Sequence, residues 1–397
     1  MRLVMGGESL EGPLTGIGQY TYHLAKEMLA SPNIEDFKFL AHGRLREPDS
    51  LMPTCGNSAS EVNATGSQLS PLNQLLGKAR SIAASSNLVV GAYGRLMPQL
   101  ERHSLRHYEK SDIYHSPNYM LPEFQGKNVV SILDLSTYRY PEHHPEARVR
   151  YVNGHIERAV KSADHIVTIS NFVKSEIMER FNVPESRITV TYLGADESFH
   201  PMPENLFSEH ARTLGLAYKG YFLFTSSIEP RKNLDRLLDA YLAYRAGTKD
   251  HPLPLIVTGM PGWKSQHTHE RLKKLQGEGA IRYLGYVDQR LLPVLVAGAR
   301  AVLYPSLYEG FGLPVLEAMQ CGTATMTSRD TSMAEISGDA SLLVTAIDTE
   351  ELTAAITRLA NQPKELALLV SKGLEHAKEF SWDRCANQTL RAYQAAL

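Results

Sequence analysis

Short runs of β-branched, aliphatic and aromatic residues recur along the chain, with little polar alternation inside them and helically spaced apolar positions between them. A first series reads RLVM (2–5), FKFLAH (37–42), NLVVGA (87–92), DIYHS (112–116), VVSIL (129–133), HIVTIS (165–170) and ITVTYLG (188–194). A second reads YFLFTSS (221–227), PLIVTG (254–259), IRYLGY (281–286), AVLYPS (301–306), TATMTS (323–328) and SLLVT (341–345). Strands without polar alternation are covered on both faces and the intervening helices supply the crossovers, so each series predicts a parallel sheet. The fold class is therefore α/β, with two doubly wound units. The expected hinge is Gly194 to Gly220, where Pro201 and Pro203 interrupt the pattern.

Two segments depart from the alternation. FSWDRCANQTLRAYQAAL (380–397) predicts a capped amphipathic helix, with Ser381 or Asp383 as N-cap and Leu390, Tyr393 and Leu397 on one face. With no strand after it, this helix must bury that face on something already built. Within residues 44–86, GNSASEVNATGSQLS reads as loop and LNQLLGKARSIAA as an amphipathic helix. The region is either a surface insertion or one whose apolar face rests on lipid.

Composition narrows the class. A chain of 397 residues exceeds one average core and suits two domains. With 43% hydrophobic and 21% charged residues and a net charge of −2, it lacks the basic excess of a nucleic-acid binder. MRLVMGGESL has neither the apolar core nor the cleavage region of a signal peptide. No stretch approaches the roughly 18 apolar residues that cross a bilayer. Cys55, Cys321 and Cys385 form no metal or redox motif and point to a reducing compartment. A cytoplasmic protein is expected, touching a membrane at most.

The chemistry concentrates in Ser306–Gly322, SLYEGFGLPVLEAMQCG, where Glu309 and Glu317 stand eight positions apart around a Gly-Phe-Gly-Leu-Pro bend. Pro314 suits the first position of a helix and Gly322 its stop, which leaves a helix of about two turns. The amides of Gly310, Phe311, Gly312 and Leu313 then lie at or just before its positive end. Glycines let a ligand approach that backbone, so a diphosphate is the natural guest. The two carboxylates flank the anion: Glu317 can accept from a ribose diol and Glu309 can reach a sugar beyond the phosphates. Alone, the stretch also fits a turn at Gly312 and a first-turn acid at Glu317, worth about 0.3–1 kcal/mol against the helix dipole.

Three further signals bear on it. SIEPRKNLDRLLDA (227–240) places Arg231 and Lys232 in a strand-to-helix loop, with Asn233 as cap candidate. Cations there oppose the dipole's positive end, so they are best tolerated with something negative between, although a solvated surface pair reads the same way. GPLTGIGQYTYHLAKEML (12–29) is a glycine loop entering a helix, but Gly16-x-Gly18 fails the dinucleotide fingerprint. In VVSILDLSTYRYPEHHP, Asp134 lies just past a buried strand, either as a functional acid or as a loop cap. His143 and His144 lack a third ligand at recognisable spacing, so no metal site is expected.

Together these residues resemble the family-4 retaining glycosyltransferases, whose GT-B architecture sets two Rossmann-like domains about a cleft. The resemblance rests on TGIGQY, TISNFVKSEI (168–177), VTYLGADESFHP (190–201), EPRKNL (229–234), VTGMPGW (257–263), RYLGYV (282–287), YPSLYEGFGLPVLEAMQCG (304–322) and FSWDR. It implies an acceptor-binding domain at 1–198, a nucleotide-sugar domain at 199–378 and a helix at 379–397 crossing back to the first. Arg231 and Lys232 match the residues that neutralise the donor diphosphate, and Glu317 the ribose ligand. Glu309 and the amides of Gly310, Phe311, Gly312 and Leu313 match the donor sugar and phosphate contacts. Val287 falls near the family's backbone contact to the base, and Gly16 and Gly18 match the loop that closes over the phosphates. Asp134 matches the acid of a His-Asp pair, in which Leu133 here replaces the histidine, and Ser226 and Ser227 replace a glycine before the Arg-Lys pair.

The resemblance thus implies transfer of a sugar from a nucleotide donor to a hydroxyl with retention of configuration, without metal or other cofactor. TGIGQY, LDLSTYRYPEHHP and SIEPRKNL look most like mannosyltransferases that build bacterial surface polysaccharides, lipopolysaccharide O-antigen among them, from GDP-mannose. A UDP-hexose donor is the alternative. A glycan or lipid-linked glycan acceptor follows, with peripheral contact to the inner membrane in the lipid-linked case and no nucleic-acid partner. A nucleotide-sugar sensor would dispense with Asp134 and Glu309, and an epimerase would act on donor alone.

Overall fold

The computed structural model describes residues 1–12, 16–52 and 97–397. The expected strand at 87–92, the loop and helix expected within 56–84, and Cys55 lie outside them. Two compact units emerge: one comprises Met1–Ile132, Arg158–Val167 and Leu390–Leu397, the other Leu133–Glu157 and Thr168–Thr389.

The first sheet contains β1 (Arg2–Gly6), β2 (Asp36–Ala41), β3 (Arg44–Arg46), β4 (Ile113–Ser116), β5 (Lys127–Ser131), β6 (His165–Thr168) and β7 (Ile188–Val190), in the order β3-β2-β1-β4-β5-β6-β7. Its pairings around β1, β4 and β5 are parallel, as the unalternated runs predict. One strand corrects that picture. β3 pairs antiparallel with β2 through the two-residue turn His42-Gly43, whose φ values of 48° and 72° are those of a hairpin turn matched to strand twist. The run FKFLAH had absorbed His42 into the strand, which hid the turn. VVSIL and ITVTYLG also end early, at Ser131 and Val190, because the chain leaves the sheet there to form loops.

The second sheet contains β8 (Phe222–Thr225), β9 (Leu255–Thr258), β10 (Ile281–Gly285), β11 (Ala301–Tyr304), β12 (Ala324–Ser328) and β13 (Ser341–Val344), in the order β10-β9-β8-β11-β12-β13. Every pairing is parallel. Every residue of β8, β9, β11 and β12 is buried, the requirement for a sheet covered on both faces. From β8 the chain winds one way to β9 and β10, then returns to β11 and winds the other way. That reversal is a topological switch point, and the carboxyl ends of β8 and β11 beside it are where such sheets bind ligands.

The final helix, Trp382–Ala396, is capped by Ser381, whose Oγ accepts the Arg384 N–H at 3.1 Å, with Asp383 inside the first turn. Leu390 and Tyr393 are buried, but Leu397 stays 55% exposed, since the helix ends one residue before it. Among the described residues no helix is long and apolar enough to cross a membrane.

Candidate active site at the switch point of the second sheet

The loop after β8 closes into a 3₁₀ turn, Pro230–Lys232, which turns Arg231 and Lys232 inward so that both are buried. The next residue, Asn233, adopts a left-handed conformation (φ 60°, ψ 29°) ahead of the helix Leu234–Gly247. It caps that helix by position only: its Nδ2 donates instead to the carbonyls of Pro305 at 3.0 Å and Ala346 at 2.7 Å. The expected capping residue is therefore a crosslink between loops.

The loop after β11 brings Glu309 onto these cations. Arg231 Nη1 donates to Glu309 Oε2 at 2.9 Å and Lys232 Nζ to Glu309 Oε1 at 2.6 Å. Tyr304 Oη accepts from Lys232 Nζ at 2.9 Å and donates to Glu309 Oε1 at 3.0 Å. Arg231 also reaches the Tyr308 carbonyl and Glu229 Oε1, each at 2.8 Å. Burial pushes the Glu309 carboxyl up, but the adjoining guanidinium and ammonium outweigh it and hold the group down at about 2. Arg231 is held protonated: burial opposes its charge, and Glu309, Asp134 and Glu229 overcome that. Two carboxylates, Glu309 and Glu229, meet the cations within the protein itself, and Glu229 is one that sequence reasoning missed. Its only signal was adjacency, two residues before Arg231.

The expected two-turn helix is Leu313–Gln320, with Gly312 at its N-cap and Pro314 in its first turn. Gly312 has φ 104°, and a Cβ there would lie 2.6 Å from Met333 Cγ. At Gly310 a Cβ would lie 2.0 Å from the Leu133 carbonyl oxygen, so this glycine admits another stretch of backbone rather than a ligand. Ser170 Oγ donates to the Gly310 carbonyl at 2.8 Å, and Ser332 Oγ to the Glu309 carbonyl at 2.7 Å. Among the described residues, the N–H groups of Gly310, Phe311, Gly312 and Leu313 donate to no other group. Four successive unpaired donors at a helix entrance, beside two buried cations, form a cradle for an anion. Glu317 is half-buried farther along the same helix, and burial, reinforced by the Asp196 carboxylate, pushes its carboxyl up to about 8.

Asp134 is half-buried, and its Oδ1 accepts the Ser136 N–H at 2.9 Å, closing the turn that starts the helix Ser136–Arg139. His143 stacks on Tyr140 with centroids 5.2 Å apart, and His144 packs on Trp263 at 5.5 Å. Burial lowers the His144 imidazole to about 4. Among the described residues no three His, Cys, Asp or Glu side chains converge as a metal-binding group. Val287 is half-buried past β10, at the edge of the sheet and two strands from β8. Gly16 and Gly18 belong to the other unit, where the helix Gly16–Ala30 begins, Gly16 exposed and Gly18 buried.

Two parallel Rossmann-like sheets with an anion cradle at the switch point of the second define the GT-B class of glycosyltransferases. Solved structures agree on the fold. WaaG, a glycosyltransferase involved in lipopolysaccharide biosynthesis, superposes with a TM-score of 0.68 at 14% identity, over 99% of this chain and 98% of its own. HepE of Anabaena, solved in complex with UDP and glucose, does so with a TM-score of 0.65 at 16% identity, over 98% of each chain. In sequence, residues 209–376 match Glycosyl transferases group 1 and residues 77–199 match Glycosyltransferase Family 4. The chain is 36% identical over 394 residues to the O-antigen chain mannosyltransferase B of Escherichia coli, covering 99% of this chain and 100% of that one. It belongs to this glycosyltransferase family.

Proposed function

We propose that the protein transfers a mannosyl group from GDP-mannose to a hydroxyl of a glycan or lipid-linked glycan in O-antigen or related surface polysaccharide synthesis, with retention of configuration and without a metal ion. The observation that carries the donor class is the cradle: four unpaired amides at Gly310–Leu313 beside Arg231 and Lys232. The sugar rests on the similarity to the mannosyltransferase of Escherichia coli.

In this reading the glycosidic C–O bond to the diphosphate breaks and negative charge grows on the departing oxygens. Arg231, Lys232 and the cradle amides receive that charge. One well-placed donor of this kind contributes about 3–4 kcal/mol of transition-state stabilisation. The acceptor oxygen attacks the face the diphosphate leaves, and its proton passes to a diphosphate oxygen, which gives retention. Glu309 and Asp134 position the transferred sugar, Glu317 accepts from the ribose diol, and the backbone near Val287 meets the base. Apart from Asp134 and the Gly16–Gly18 loop, the donor groups lie within 199–378, and the acceptor is taken by 1–198. A lipid-linked acceptor places the protein at the cytoplasmic face of the inner membrane as a peripheral protein, which liposome flotation tests.

Mass spectrometry of donor turnover with a panel of acceptors is the decisive experiment. GDP-mannose should be consumed only with acceptor, the product should show an α-linkage by NMR, and dialysis against EDTA should leave the rate unchanged. Lys232→Ala and Glu309→Ala should each lower turnover by at least about 100-fold. Consumption of a UDP-hexose with none of GDP-mannose would replace the donor, and near-wild-type transfer by both variants would remove the site.

A further inference from the structure

Tyr308 immediately precedes Glu309 and is 1% exposed. Its hydroxyl accepts the Leu135 N–H at 2.9 Å and donates to Glu176 Oε2 at 2.5 Å. Its own carbonyl accepts Arg231 Nη1 at 2.8 Å. One residue therefore bonds to three separate parts of the chain: the loop carrying Asp134, the helix Asn171–Phe181, and the cation that holds Glu309. The ring packs against Tyr140 and Phe172, with centroids at 6.1 and 5.9 Å, and Tyr140 Oη donates to the neighbouring Leu307 carbonyl at 3.3 Å. One step farther on, the Leu133 carbonyl lies against Gly310. The segments 133–135 and 308–310 thus run in contact, joined by the Tyr308 hydroxyl and by the packing of Leu133 on Gly310.

We infer that Tyr308 is a positioning residue for glycosyl transfer: its hydroxyl clamps the Asp134 loop and Glu176 against the Glu309 loop, so that Asp134, Glu309 and Arg231 keep one geometry. The inference rests on the proposed function. A buried hydroxyl needs partners for both its donor and its acceptor, and here both are spent on spanning loops rather than on local backbone. A phenylalanine fills the same space but leaves the Leu135 N–H and the Glu176 carboxylate without their partner, so the packing survives while the register loosens. Misplacement of catalytic groups by about 1 Å costs on the order of 100-fold in rate.

Tyr308→Phe should lower kcat about 10- to 100-fold while the donor KM stays within about threefold. Glu176→Gln keeps an accepting oxygen and should retain most of the activity, whereas Glu176→Leu should resemble Tyr308→Phe. The double variant Tyr308→Phe/Glu176→Leu should be no worse than the poorer single, because both break one clamp. Hydrogen exchange provides a readout independent of activity: the Leu135 amide should exchange faster in Tyr308→Phe while the amides of β8 and β11 keep wild-type protection. Unchanged kcat in both Tyr308→Phe and Glu176→Leu, or unchanged exchange at Leu135, overturns the clamp. A wild-type protein that turns over no nucleotide sugar overturns the proposed function instead, and the exchange result still decides whether the hydroxyl holds the loop.

Discussion

Glu309 answers two buried cations at once. Removing it leaves Arg231 and Lys232 with Glu229 as their remaining hydrogen-bonded carboxylate, beside the Tyr308 carbonyl and the Tyr304 hydroxyl. Glu309→Ala should therefore cost about 3–5 kcal/mol by chemical denaturation, in addition to its effect on turnover. Its carboxyl is depressed to about 2 from 4.5, so its share of stability is present above pH 4.5 and disappears as pH falls towards 2. Glu317 has the opposite sign. Its carboxyl is raised to about 8, so the folded state holds a proton that the unfolded state has released, and stability declines as pH rises from 4.5 to 8. Glu317→Gln should flatten that decline: its melting temperature should gain on the wild type between pH 5 and 8, and the two should converge below pH 4.5. At this scale Glu309 was legible because it borders a glycine bend, and Arg231 and Lys232 because adjacent cations ahead of a helix oppose its dipole. Glu229 and Tyr308 were not, because a buried partner and a surface residue look the same in a one-dimensional string.

Among the elements, the short helix Leu313–Gln320 matched its sequence signals at both ends, with Pro314 in the first turn and Gly322 at φ 65° past the stop. The reason for its glycines was not legible. Gly310→Ala would drive a methyl into the Leu133 carbonyl, which is backbone and has little room to give, so a loss of about 1–3 kcal/mol and displacement of the Asp134 loop are expected. At Gly312 the obstacle is Met333 Cγ, inside a buried side chain, so an alanine meets a steric cost in addition to that of φ 104°, the latter about 1–2 kcal/mol. Urea denaturation of the two variants separates the cases: repacking through Met333→Ala should relieve only the steric part at Gly312 and nothing at Gly310. The hairpin strand β3 escaped the pattern because its turn is two residues long and one of them, His42, reads as strand.

For the molecule as a whole, the two parallel sheets were legible because strands covered on both faces cannot alternate. The switch point of the second sheet was not, since strand order is set by pairings between residues far apart in sequence. The same holds for residues 133–157, which belong to the unit of the second sheet through contacts such as Leu135 with Tyr308 and Lys264 with the Glu142 carbonyl at 2.7 Å. The buried cluster at that switch point has two cations, Arg231 and Lys232, matched by two carboxylates, Glu229 and Glu309. Its ledger of charge is thus closed before any guest arrives. A diphosphate entering a neutral cluster makes the locality anionic, and nearby carboxyls respond by holding protons more tightly. GDP should therefore bind with proton uptake near and above pH 8, the value at Glu317, with affinity that rises as pH falls towards about 8 and levels off below it. Titration calorimetry in buffers of different ionisation enthalpy measures this directly: the apparent heat should shift with the buffer, and equal heats in all of them would mean that the nucleotide brings its own counter-charge.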